Sequence, residues 1–200
     1  MDLPLAELAW EFAAALRAVD AKEPIAKNIR SKVSFRPGIG PHSESVALSL
    51  ILGELVSRSP EKYRAHSTSV PYPGKRQKCD VCFGISPNWD WAIEVKLLRL
   101  SGDNDKPNDH MLMHILSPHP EHRSALTDLD KLLSWEGPRH KAILIYGFDH
   151  KRWPLEPAVQ AFEVLARSRS RLSDRNYCAF SGLVHPVHSS GAVVAWEIFR

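Results

Sequence analysis

Residues 76–98 read RQKCDVCFGISPNWDWAIEVKLL. Two runs of period 2 meet across Ser86-Pro87-Asn88, which is turn chemistry, so the stretch predicts an antiparallel hairpin. Alternation places Cys79, Val81, Phe83 and Ile85 on one side of the first strand and Lys78, Asp80, Cys82 and Gly84 on the other. In the second strand Trp89, Trp91, Ile93, Val95 and Leu97 share a face, with Asp90, Ala92, Glu94, Lys96 and Leu98 opposite. A turn centred on Pro87 sets Asp80 directly across from Glu94. Such cross-strand neighbours have Cβ atoms roughly 4.5–5.5 Å apart, and Lys96 stands one pleat further along the same face. Two carboxylates held that close repel unless a cation lies between them. Spacing alone thus assembles a residue set for metal-assisted hydrolysis.

The remainder of the chain supplies a frame for this hairpin. Residues 3–20 carry Leu5, Leu8, Phe12, Leu16 and Val19 at helical spacing, which predicts an amphipathic helix. Pro24, Pro37, Gly38, Gly40 and Pro41 then break the pattern, and the linker holds Lys27, Arg30, Lys32 and Arg36. Ser43 is a suitable N-cap for a helix over 44–57 with a buried stripe of Leu48, Ile51 and Leu55. One turn back from Leu48, Glu44 extends that stripe, and His42 beside it reads as a surface-loop histidine. A first strand is expected over 62–72.

Beyond the hairpin, Ser101 to Pro120 has strong turn character, and so long a loop in a compact domain is usually functional or disordered. Leaving the strand of Glu94 and Lys96, it is expected to overhang the same face. Its DNDKPND core lacks the Gly and Glu that a calcium loop requires. A helix follows over 121–135, with Ala125, Leu129, Leu132 and Leu133 inward. KAILIYGF, 141–148, is the continuous apolar run of a strand buried on both faces. A helix over 156–169 and two strands, 177–184 and 192–199, complete the order.

Composition narrows the classes. The chain has 200 residues, 44% of them hydrophobic, and a formal net charge of +3. That suits one domain over 1–200 with a real core and permits nucleic-acid binding without demanding it. No apolar run approaches the roughly 18 residues that span a bilayer. Acidic residues near the start, where a secretory signal would be basic, and three cysteines lead to the expectation of a cytoplasmic protein with reduced thiols. No Gly-x-x-x-x-Gly-Lys phosphate loop and no Gly-x-Ser-x-Gly elbow is present, so no nucleotide cofactor is expected.

Asp80, followed after thirteen residues by Glu94-Val95-Lys96, resembles the PD-(D/E)xK nuclease superfamily, with Cys79 in place of the first Pro. The resemblance covers 42–184 and implies a restriction-endonuclease-like α/β core. That core is a central mixed sheet with flanking helices in the order α-β-β-β-α-β, leaving 1–41 as N-terminal helix and linker and 185–200 as a C-terminal strand. It implies a Mg²⁺-dependent endonuclease acting on DNA, of restriction or defence type, with Mn²⁺ as a substitute. The alternatives are a repair, resolvase or transposition nuclease, or a DNA-binding module without activity.

The implied ligands are Asp80, Glu94 and the Val95 carbonyl, with Glu44, matching an acid on the preceding helix, at a second ion or a bound water. Lys96 would orient the attacking water and offset phosphate charge. A homodimer would bring the two sites that double-strand cutting needs. Two further basic groups, Arg152 and then Arg167, Arg169, Arg171 and Arg175, read as helix-end charge or as a phosphate track. A rival zinc reading joins Cys79 and Cys82 to His185 and His188, but the two cysteines are expected on opposite faces of their strand.

Overall fold

The computed structural model describes residues 3–28 and 31–199, so Arg30 of the linker lies outside the described residues. Along the chain come α1 (Leu5–Asp20), α2 (Glu44–Arg58), the single turn α3 (Pro60–Tyr63), β1 (His66–Pro71), β2 (Lys78–Ile85) and β3 (Asn88–Arg99). Then follow the short α4 (Met113–Leu116), α5 (Ala125–Leu133), β4 (His140–Phe148), α6 (Glu156–Arg167), β5 (Arg171–Leu172), β6 (Asn176–Ser181) and β7 (Ser190–Phe199). The strands form one seven-stranded mixed sheet in the order β1-β2-β3-β4-β7-β5, with β6 also paired to β7. Among the described residues only β3 and β4 run parallel, joined by the long crossover through α5. Among the described residues no helix is long and apolar enough to cross a membrane.

Two helical layers sandwich this sheet. Leu8, Phe12 and Leu16 of α1 and Leu48, Ile51 and Leu55 of α2 pack on Val81, Ile93, Val95, Leu144 and Val193. On the other face Leu129 and Leu132 of α5 and Val159 and Phe162 of α6 pack on Ala92, Ile143, Ile145, Val194 and Trp196. Each Val, Leu, Ile or Phe among these contributes about 1.5–3 kcal/mol on burial. Strand β4 sends alternate residues into both layers, which is why its sequence is apolar throughout. The C-terminal strand is no appendage: β7 lies between β4 and β5, deep in the sheet.

The hairpin forms with the expected register from Val81, facing Ile93, to Phe83, facing Trp91, but the ladder stops there and the expected Asp80–Glu94 pair is not part of it. Nearer the turn the register slips by one residue, so Asp90 becomes a bulge and Trp89 crosses to the second layer. Gly84 allows this: its φ is +107°, and a Cβ there would lie 2.8 Å from the Asp90 nitrogen. Cys79 also departs from its expected face. The β2–β3 ladder ends at Val81, and the Cys79 thiol joins Cys82 in the second layer.

Element boundaries shift where local chemistry intervenes. The expected 121–135 helix begins only at Ala125, because Ser124 caps it by accepting from the Thr127 N–H. Ser43 occupies the cap position of α2, but its hydroxyl meets Ser45 and makes no capping bond. The 101–120 segment is not a bare loop; it contains a 3₁₀ turn at Asp109–Leu112 and the α4 turn.

Candidate active site

A groove of about 1420 Å³ opens over the α5 side of β2 and β3, lined by Glu44, Asp80, Glu94, Lys96, Asp128 and Lys131. The hairpin supplies Asp80, Glu94 and Lys96, while the first turn of α2 supplies Glu44. Asp80 Oδ2 accepts from the Val95 N–H at 2.8 Å, so its carboxylate takes the place of a ladder carbonyl where β2 leaves β3. Glu94 is 1% exposed and accepts the Tyr72 hydroxyl proton at 2.5 Å. Glu44 Oε2 accepts from the Leu97 N–H at 2.7 Å, and its other oxygen stands 4.0 Å from Lys96 Nζ. The four side chains named from the sequence therefore share one groove. Val95 itself turns its side chain into the α1/α2 layer, and its backbone bridges the two acidic strands.

Three contributors were not anticipated. Asp128 of α5 is fully buried and holds Lys96 Nζ at 2.6 Å. Lys131, one turn on, contacts Asp128, lies 3.7 Å from Glu94 Oε1 and sits over the Tyr72 ring. The signal for Asp128 was present: it is an acid on the apolar stripe of Ala125, Leu129 and Leu132, the same anomaly that marked Glu44. Tyr72, in a Pro-Tyr-Pro-Gly turn, carried none.

Four carboxylates, Glu44, Asp80, Glu94 and Asp128, thus face the ammonium groups of Lys96 and Lys131. Burial, then the charges of Asp128 and Asp80, hold the Glu94 carboxyl well above the usual carboxylate range. Burial likewise raises Glu44, with Lys96 pulling the other way. For Lys96, burial alone would lower the ammonium, but Asp128, Glu44, Asp80 and Glu94 outweigh it and the net shift is upward. Lys96 is therefore a fixed cation. Excess negative charge from hard oxygen donors is the condition a Mg²⁺-class ion requires, and the donor set fits one.

Lys75, Arg76, Lys78, Arg99 and Arg123 also line the groove, together with Glu121 and Asp130. Met111, Met113 and His114 from the 101–120 segment also line the groove, so that segment does overhang the expected face. The second basic group does not. Arg167 and Arg175 are held by Glu163, Arg175 also by Glu156, and Arg169 by Asp130. His42 is buried rather than a surface residue, and its burial lowers its proton affinity. The cysteine–histidine zinc grouping does not assemble, since His185 and His188 meet Asp103 instead. A smaller recess of about 470 Å³ at the hairpin tip, lined by Leu3, Phe83 and Ile85, contains none of the groove carboxylates.

Comparison of the chain with protein-family models, with curated proteins and with solved structures found no match.

Proposed function

We propose that this protein is a metal-dependent nuclease of the PD-(D/E)xK type, hydrolysing DNA phosphodiester bonds and serving in restriction or defence. One observation supports this above the others: Asp80, Glu94, Lys96 and Glu44 line a single groove, with the Asp80 carboxylate bonded to the Val95 N–H between Glu94 and Lys96. The order α2-β1-β2-β3-α5-β4 agrees with a restriction-endonuclease-like core.

In this reading Asp80, Glu94 and the Val95 carbonyl hold Mg²⁺, or Mn²⁺ in its place, with Glu44 at a second ion or a bound water. The ion supplies Lewis-acid charge and an activated water. The chain's own groups do the rest. Lys96, kept protonated by Asp128 and Glu44, places positive charge against the phosphate as negative charge develops on it. Tyr72 fixes the Glu94 carboxyl, and the Val95 N–H fixes that of Asp80, so both acids are positioned before substrate arrives. Lys75, Arg76, Lys78 and Arg123 give the strand a track of phosphate contacts.

The test is cleavage of supercoiled plasmid DNA with Mg²⁺. Wild type should nick or linearise it, whereas Glu94→Gln and Lys96→Met should lose cleavage yet retain most DNA binding. Equal cleavage by all three would end the assignment at this site, and binding without any cleavage would favour an inactive DNA-binding module.

A further inference from the structure

A second constellation lies apart from the groove carboxylates. Asp103, in the turn after β3, meets His185 and His188, which precede β7, and one potential ligand atom on each lies within 4.8 Å of the others. His188 Nε2 is 2.9 Å from Asp103 Oδ1, and the two imidazoles stack with centroids 4.6 Å apart. Both histidines are buried, His185 completely. Among the described residues His185 Nε2 has no hydrogen-bond partner. An orphaned buried polar atom costs about 1–3 kcal/mol, so it asks for a reason. The surrounding backbone is shaped to the rings: a Cβ on Gly40 would lie 2.6 Å from the His188 ring, and one on Gly38 would lie 3.1 Å from His185 Cβ.

We propose that Asp103, His185 and His188 form a binding site for a zinc-class transition-metal ion, separate from the groove. Two imidazoles and one carboxylate suit Zn²⁺ or Co²⁺, whereas Mg²⁺ prefers an all-oxygen set. Ligand distances of about 2.0–2.2 Å require the three atoms to draw inward. The rings, now 17° from parallel, must tilt to present both nitrogens to one ion. His185 then gives up only the long 3.3 Å contact from the Val187 N–H to its Nδ1. The ion would staple the 101–107 turn to the segment before β7. That staple lies 3.9 Å from Arg99, which lines the groove, so it would steady the groove's edge.

The experiment is Co²⁺ and Zn²⁺ titration of the chelator-treated full chain, followed by visible absorption and thermal melting. Wild type and Glu94→Gln should take up Co²⁺ with a nitrogen-ligated spectrum and melt higher with Zn²⁺. Asp103→Asn keeps an oxygen that accepts from His188, so it should fold normally while its affinity falls about tenfold or more. His185→Gln should behave alike. No uptake by wild type, or equal uptake by Asp103→Asn and His185→Gln, would overturn the proposal. So would uptake lost in Glu94→Gln but kept in the other two. Because the readout is uptake, the outcome does not depend on the nuclease reading.

Discussion

Asp80 Oδ2 accepts the Val95 N–H at 2.8 Å, so one acid of the groove is fastened to the backbone between Glu94 and Lys96. A residue read from the sequence as a ligand is therefore also a structural hydrogen-bond acceptor, and the two roles can be separated by substitution.

Asp80→Asn keeps an acceptor oxygen for Val95 and removes one negative charge. Without metal it should be about as stable as wild type, and it should gain less from millimolar-scale Mg²⁺, because a ligand stabilises only as far as it binds the folded state. Asp80→Ala leaves the Val95 N–H unpaired and should lose about 1–3 kcal/mol without metal. Thermal melts of the three proteins, with and without Mg²⁺, check this; an Asn variant that gains as much as wild type would remove Asp80 from the ligand set.

Glu94 sets the acid side of the stability profile. Its folded pKa is raised above the unfolded value, so the folded state binds its proton more tightly. That contribution is full below the ordinary glutamate value and is lost as pH rises through the folded pKa, at no more than about 1.4 kcal/mol per pH unit. Glu94→Gln retains the acceptor for Tyr72 but cannot ionise. Without metal it should therefore be more stable than wild type at neutral pH, with the difference shrinking towards pH 4. Urea titrations across this range measure it, and a difference independent of pH would refute the cause.

The Lys96–Asp128 pair is buried on both sides, at 10% and 1% side-chain exposure. Asp128→Ala removes the nearest counter-charge from a buried ammonium and should cost about 3–5 kcal/mol. The double variant Asp128→Ala/Lys96→Met should recover much of that loss. A denaturant double-mutant cycle reads the coupling, and additive losses would show that the pair contributes nothing as a pair.

Lys131 places an ammonium against Glu94 and Asp128, in the region a divalent ion would share. Lys131→Met should leave those acids more repulsive, lowering stability without metal at neutral pH. Its gain in melting temperature on Mg²⁺ addition should exceed that of wild type. A smaller gain would mean that Lys131 helps to organise the site rather than competes for it.

Much of the frame was legible in the chain. Leu5, Leu8, Phe12, Leu16 and Val19 are all buried along α1 as their spacing predicts, and KAILIYGF forms the central strand. These are local periodicities, and burying one face leaves a sequence little choice of element. The pairing of Val81 with Ile93 was equally readable, because alternating hydrophobicity on both strands permits few registers. Three of the groove's carboxylates, Asp80, Glu94 and Glu44, followed from that register and from one helical turn.

The remaining contacts come from segments far apart in the chain. Alternation could not place Trp89 or Cys79, because the Asp90 bulge answers to the positive φ of Gly84 and the ladder gives way beyond Val81, where Asp80 takes the Val95 N–H. The partners of Lys96 and Glu94 lie in Asp128, Lys131 and Tyr72, and His188 finds Asp103 across 85 residues of chain. A burial pattern encodes which way a side chain points. Which distant side chain it meets is set only when the crossover through α5 and the return to β7 close the sheet.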